Sequence, residues 1–119
     1  MHLAIEDDRL TLTLQGAERF WAFKLDPIVV RREQVVRAEA ALPPAGLLDI
    51  RAPGTGLPGV IKAGTYYTPR GKEFWYAVRS RKDQPLTIEL KDAGYKRMAV
   101  TIDGAVGWAA RINAWIEGT

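Results

Sequence analysis

Between Arg51 and Thr65 the chain reads Arg-Ala-Pro-Gly-Thr-Gly-Leu-Pro-Gly-Val-Ile-Lys-Ala-Gly-Thr, placing four glycines and two prolines in fifteen residues. Glycine opens positive φ and close backbone approach, and proline fixes φ and removes an amide donor, so no helix passes through here. The flanking patterns are strand-like. The segment therefore reads as an ordered, sharply bent connector through an all-β fold, with Pro53, Gly54, Gly56, Pro58 and Gly59 making the bend. It also holds the spacing Gly54-x-Gly56-x-x-Gly59. In a dinucleotide site that spacing follows a strand and opens a helix whose N-terminus holds the pyrophosphate. Here Val60–Thr65 has no helical period, and Trp75-Tyr76-Ala77-Val78 stands where an acidic residue is required about 20 positions on. No Gly-Lys-Ser/Thr occurs, which excludes a P-loop. The motif is read as accidental, leaving an anion-binding nest of glycine N–H groups as its one functional option.

Around this segment the apolar residues recur with a period of two, the signature of half-buried strands. Leu3 and Ile5 alternate with Ala4 and Glu6, Glu6–Arg9 makes a polar turn, and Leu10, Leu12 and Leu14 alternate with Thr11, Thr13 and Gln15. Ala17–Lys24 breaks the alternation with Phe20, Trp21 and Phe23 and reads as a short helix or turn over a sheet edge. Ile28–Val30 is extended, and in the next strand Val36, Ala38 and Ala40 oppose Arg37 and Glu39. Leu42–Gly46 is a firm stop. Beyond the connector, Phe74/Tyr76/Val78, Leu86/Ile88/Leu90 and Met98/Val100/Ile102 mark three strands with short turns between them, expected to form an antiparallel meander.

The last segment changes period. Ala105, Trp108, Ala109, Ile112, Trp115 and Ile116 recur at helical spacing after Asp103, a suitable N-cap, and Gly118 is a C-terminal stop. A helix over 103–117 is expected to plug the open mouth of a bent sheet, with Trp108, Ile112 and Trp115 buried in it. The chain as a whole resembles the bacterial pleckstrin-homology-like (PH-like) domains, and within them an uncharacterised family of small bacterial proteins. The resemblance is carried by Glu18–Phe23, Arg51–Ile61, Gly64-Thr65, Glu73-Phe74-Trp75, Thr87–Leu90 and Tyr95-Lys96-Arg97. It implies one domain spanning residues 1–119, a half-open antiparallel barrel or sandwich of about seven strands capped by the C-terminal helix, and no established activity.

Composition narrows the chemistry. Absence of Cys excludes disulfides, Cys-ligated zinc and thiol nucleophiles, and fits a cytoplasmic location. The start of the chain lacks a basic segment followed by an apolar one, so no signal peptide is expected. Its apolar runs fall far short of the roughly 18 residues of a membrane span. A formal charge of +3 is well below the basic footprint of a dedicated nucleic-acid binder. His2 lies beside the N-terminus, Ser80 has no paired base, and the acidic turn Glu6-Asp7-Asp8 lacks further metal ligands. No enzyme, cofactor or metal is expected.

Alternating turns should bring Arg70 and Lys72 to the same end of the sheet as Lys91 and Lys96, with Arg79, Arg81 and Lys82 at the other. Solvated turns and an anionic site both fit this. In phosphoinositide-binding PH domains the first hairpin turn is basic; the corresponding turn here is acidic, which counts against that ligand. Phe74 and Tyr76 face the core, while Trp75 shares the opposite, exposed face with Glu73, Ala77 and Arg79. One exposed Trp is no stacking platform for nucleic acid, but it suits a protein contact. The reading is a non-enzymatic binding module that engages a protein or peptide along an open sheet edge or groove, with Tyr67, Arg70, Lys72 and Trp75 as surface contributors. The alternatives are electrostatic binding to an anionic membrane surface or nucleic acid, and an apolar ligand cavity between the Leu10/Leu12/Leu14 face and Trp108. Homo-oligomerisation stays open.

Overall fold

Period-two patterning becomes strand throughout the computed structural model, which describes residues 1–16, 26–41, 50–57, 61–78 and 83–118, with backbone alone at 50–57, 61, 62 and 78. The described strands are β1 (His2–Glu6), β2 (Arg9–Thr13), β3 (Ile28–Arg31), β4 (Val35–Glu39), β5 (Ile50–Leu57), β6 (Ile61–Thr68), β7 (Gly71–Val78), β8 (Gln84–Leu90) and β9 (Arg97–Ile102). A single 3-10 turn, Arg32–Gln34, links β3 to β4, and helix α1 (Ala105–Glu117) closes the described chain. The fold is mainly β. It consists of a three-stranded sheet in the order β1-β2-β3 and a six-stranded sheet in the order β4-β8-β9-β7-β6-β5. The two sheets are open, and no closed barrel forms among the described residues.

Where it is described, at 51–57 and 61–65, the glycine- and proline-rich segment is strand and not a connector. It supplies both arms of a hairpin, β5 pairing antiparallel with β6 from Ile50↔Tyr67 to Leu57↔Ile61. Proline in a strand is tolerated on an edge or at a bulge, and β5 has both properties. It is the outermost strand of its sheet, and its register shifts between Ala52 and Gly54, leaving Pro53 outside the ladder. Gly54 and Gly56 lie within β5, and the structure that follows the glycine motif is another strand. Pro58 and Gly59 lie outside the described residues, as do the aromatic segment 17–24, the stop at 42–46 and residues 79–82.

A second difference concerns strand order. β5, β6 and β7 do form an antiparallel meander, but β9 inserts between β7 and β8, pairing parallel with β7 and antiparallel with β8. Because β8 still runs opposite to both neighbours in sequence, the turns keep the ends that a meander would give them. The turn at 69–70 and the bend at 91–96 therefore share an end, joined by a hydrogen bond from Lys96 N to Lys72 O at 2.7 Å.

The core lies between the sheets and under α1. Leu3, Leu10, Leu12, Leu14, Ile28 and Val30 from the small sheet meet Phe74, Tyr76, Leu86, Ile88, Met98 and Val100 from the large one in one cluster of buried residues. Leu10 and Leu12 thus face packed side chains on the side where an apolar cavity was one option. β4 departs from simple alternation: a bulge between Val35 and Arg37 turns Val35 and Ala38 inward and leaves Val36 exposed. In α1, Ile112 and Ala105 are completely buried, but Trp108 and Trp115 are only partly buried against the core. The helix begins one residue past the expected cap, at Gly104 with φ 74°, and Asp103 lies in the preceding turn. It therefore lies along β4 and β8 as a lid over one edge, with Ile112 as its anchor, and Trp108 and Trp115 do not form a buried plug.

Candidate functional site

Two places concentrate polar chemistry. The first is the outer edge of β4, which needs partners for its outward N–H and C=O groups. Asn113 of α1 provides them at one position: Ala38 N donates to Asn113 Oδ1 and Asn113 Nδ2 donates to Ala38 O, both at 2.9 Å. A side-chain amide thereby reproduces the bonds of a neighbouring strand. Beside it runs an open groove of about 810 Å³ between β4 and the C-terminal half of α1. Val35, Val36, Ala38 and Ile116 give its apolar lining, and Arg32, Arg37, Glu39 and Lys91 are among its charges. Arg37 is engaged already, at 2.7 Å from Glu39 and 3.2 Å from Glu89.

The second place surrounds Glu73, on the face of β7 opposite the main core. Strand alternation alone assigns that face to solvent. Glu73 is 0% exposed and Trp75 3%, and Trp75 packs with Tyr66 and Ala99 in a separate buried cluster. Trp75 stands opposite Gly64, whose φ of 125° favours glycine. The Tyr66 and Trp75 rings meet edge to face at 6.3 Å. A surface role for Trp75 is thus overturned: Thr87, Ala99 and Thr101 are buried too, so the centre of this sheet is covered on both faces.

Burying a carboxylate requires charge partners and hydrogen bonds. Glu73 has both. Its Oε1 accepts from Trp75 Nε1 at 3.1 Å and its Oε2 from Arg70 Nε at 3.1 Å. Arg97 Nε lies 2.7 Å from the same Oε2, but its N–H is not aimed at the oxygen, so this contact is ionic without being a hydrogen bond. Glu73 and Arg97 are register partners across the parallel β7–β9 pair.

The residues proposed from sequence scatter around this centre. Arg70 and Trp75 converge on Glu73 from opposite sides. Lys72 projects to the other face, where its Nζ sits 4.7 Å from the centre of the Tyr95 ring. Tyr67, cross-strand from Lys72, is 51% exposed. Sequence reasoning missed Glu73, Arg97 and Asn113. The available signal for the first was its place two residues before Trp75, on the same strand face. Among the described residues no cluster of His, Asp or Glu has the make-up of a metal site, and no helix is long and apolar enough to cross a membrane. Comparison with protein-family models, with curated proteins and with solved structures finds no match to this chain.

Proposed function

We propose that the protein is a non-enzymatic binding module that takes an extended peptide segment of a partner protein as an added strand along β4. The observation that carries this reading is the pair of Asn113–Ala38 hydrogen bonds beside an open groove. β4 is an edge whose pairing capacity is met at Ala38 by one exchangeable side chain, and an incoming strand would supply the same two bonds together with others. Exposed Val36, at 45%, lies next to the groove as an apolar contact for the peptide. The PH-like resemblance belongs to this proposal, and what supports it is coarse: two β-sheets packed on a common core and a C-terminal helix beside an open edge. The parallel β7–β9 pair is a departure from that pattern.

Competition supplies the test. If peptide and Asn113 seek the same backbone groups, Asn113→Ala lowers stability by about 1–2 kcal/mol and at the same time tightens peptide binding. Peptides selected from a random library on the wild-type protein would be titrated against wild type, Asn113→Ala and Val36→Glu. Tighter binding to the first variant and weaker binding to the second supports strand addition. Equal affinity for all three removes β4 as the site.

A further inference from the structure

On the strand-addition reading of β4, we infer that the added strand is β4 of a second copy of this chain, the two running antiparallel about a twofold axis at Ala38.

The position of the axis follows from the backbone. Ala38 directs both its N–H and its C=O outward, to Asn113. In an antiparallel pair, a residue with both groups outward exchanges two bonds with the residue opposite, so a twofold axis can pass through Ala38. The charges are palindromic about the same residue. Pairing Val36-Arg37-Ala38-Glu39-Ala40 antiparallel with itself sets Arg37 opposite the second copy's Glu39, and Glu39 opposite its Arg37. Directly opposed unlike charges stabilise such a pair, and like charges destabilise it. Within one chain Arg37 already lies 2.7 Å from Glu39, with side chains 56% and 49% exposed. Dimerisation extends that pair into a network of alternating charges and strands none of its members. Val36, 45% exposed, falls opposite Ala40, which is small and exposed as well.

Helix α1 supplies a second contact. The axis stands perpendicular to the sheet, so each face continues across it and both helices lie on one side. Neighbouring strands are about 4.8 Å apart. A helix seated over β4 and β8 therefore lies about 5 Å from the axis and about 10 Å from its mate, an ordinary helix-packing distance. Asn113 reaches the β4 edge, and Val106, Ala109, Ala110 and Ile116 share its side of the helix by their spacing. That stripe is apolar, and Val106 is 65% exposed, the most open large apolar side chain among the described residues. A second α1 covers it. At dilutions that keep the chain monomeric, Asn113 alone holds Ala38.

The test reads both mass and register. Sedimentation velocity of the full chain from about 1 μM to 1 mM should show a reversible monomer–dimer equilibrium. Glu39→Arg, at an exposed position, meets Arg37 twice across the axis and should weaken the dimer about tenfold or more. Asn113→Ala, which uncovers Ala38, should tighten it. The chain has no Cys, so register can be read by cross-linking. Arg37→Cys mixed with Glu39→Cys places two thiols at opposed positions about 4.5 Å apart between Cα atoms, within disulfide reach. In a glutathione buffer the mixed disulfide should form in preference to either homodisulfide. A chain that stays monomeric yet binds library-selected peptides along β4 overturns the inference and leaves the strand-addition reading intact. A monomer that binds no such peptide removes both. A dimer indifferent to Glu39→Arg, with no preference for the mixed disulfide, has its interface elsewhere and also overturns the inference.

Discussion

Glu73 is the residue whose burial demands most explanation, because moving a carboxylate out of water costs several kcal/mol unless its partners compensate. Its two oxygens meet two guanidinium groups and an indole N–H. Removing only the carboxylate charge strands the half-buried Arg97 guanidinium, so Glu73→Gln should cost about 3 kcal/mol in a urea unfolding titration. The double variant Glu73→Leu with Arg97→Met should recover much of that loss, since an apolar pair of similar volume avoids desolvation altogether. Full loss in the double variant would show that the ion pair stabilises the fold beyond simple compensation. At Gly71 the φ of +129° and the Lys96 stem act together. Gly71→Ala should cost more than about 1 kcal/mol, and replacing Lys96 with Ala as well should restore only the part due to contact, because the backbone strain persists. None of this was legible locally: alternation placed Glu73 with Trp75 correctly, but a polar residue on a strand face says nothing about a second buried layer.

At the scale of elements, alternation was a good guide wherever a strand buries one face. Leu10/Leu12, Leu86/Ile88/Leu90 and Met98/Val100/Ile102 all point inward as their period requires. It failed where backbone geometry outranks side-chain pattern. A proline at a bulge and glycines in an edge strand make β5 compatible with a sheet, although their composition resembles a loop. In β4 a one-residue bulge moves the core positions from Val36 to Val35. The helix was legible in extent, but its buried stripe proved narrower than its apolar one. Ile112 is fully buried, whereas Trp108 lies partly open under the Arg111 guanidinium, 4.3 Å from the ring centre. Trp115 is tied by its indole N–H to Asp7 O at 2.9 Å, linking the helix to the β1–β2 turn. Ile112→Ala should therefore cost roughly 2–5 kcal/mol and Trp108→Ala distinctly less. The reverse ranking in chemical denaturation would mean that the tryptophan is the true anchor.

Across the whole molecule, the order of strands is the property that local pattern could not reveal. Successive strands are neighbours only about two-thirds of the time, and nothing within 84–102 marks β9 for insertion beside β7. What selects it becomes visible only in space: the Glu73–Arg97 partnership and the apolar pair Phe74↔Met98 occur in the parallel register. This order makes a prediction for amide hydrogen exchange. β9 is paired on both sides, so the amides of Ala99 and Val100 should exchange only through global unfolding. β1 and β5, each paired on one side, should exchange through local opening at much lower free energy. β4 is also an edge, yet the Ala38 amide should be protected because Asn113 accepts its proton, and Asn113→Ala should remove that protection while leaving β9 unchanged. If β9 exchanged as fast as β1, or if Ala38 kept its protection in the variant, the first result would refute the inserted strand and the second would refute the amide lid on the β4 edge.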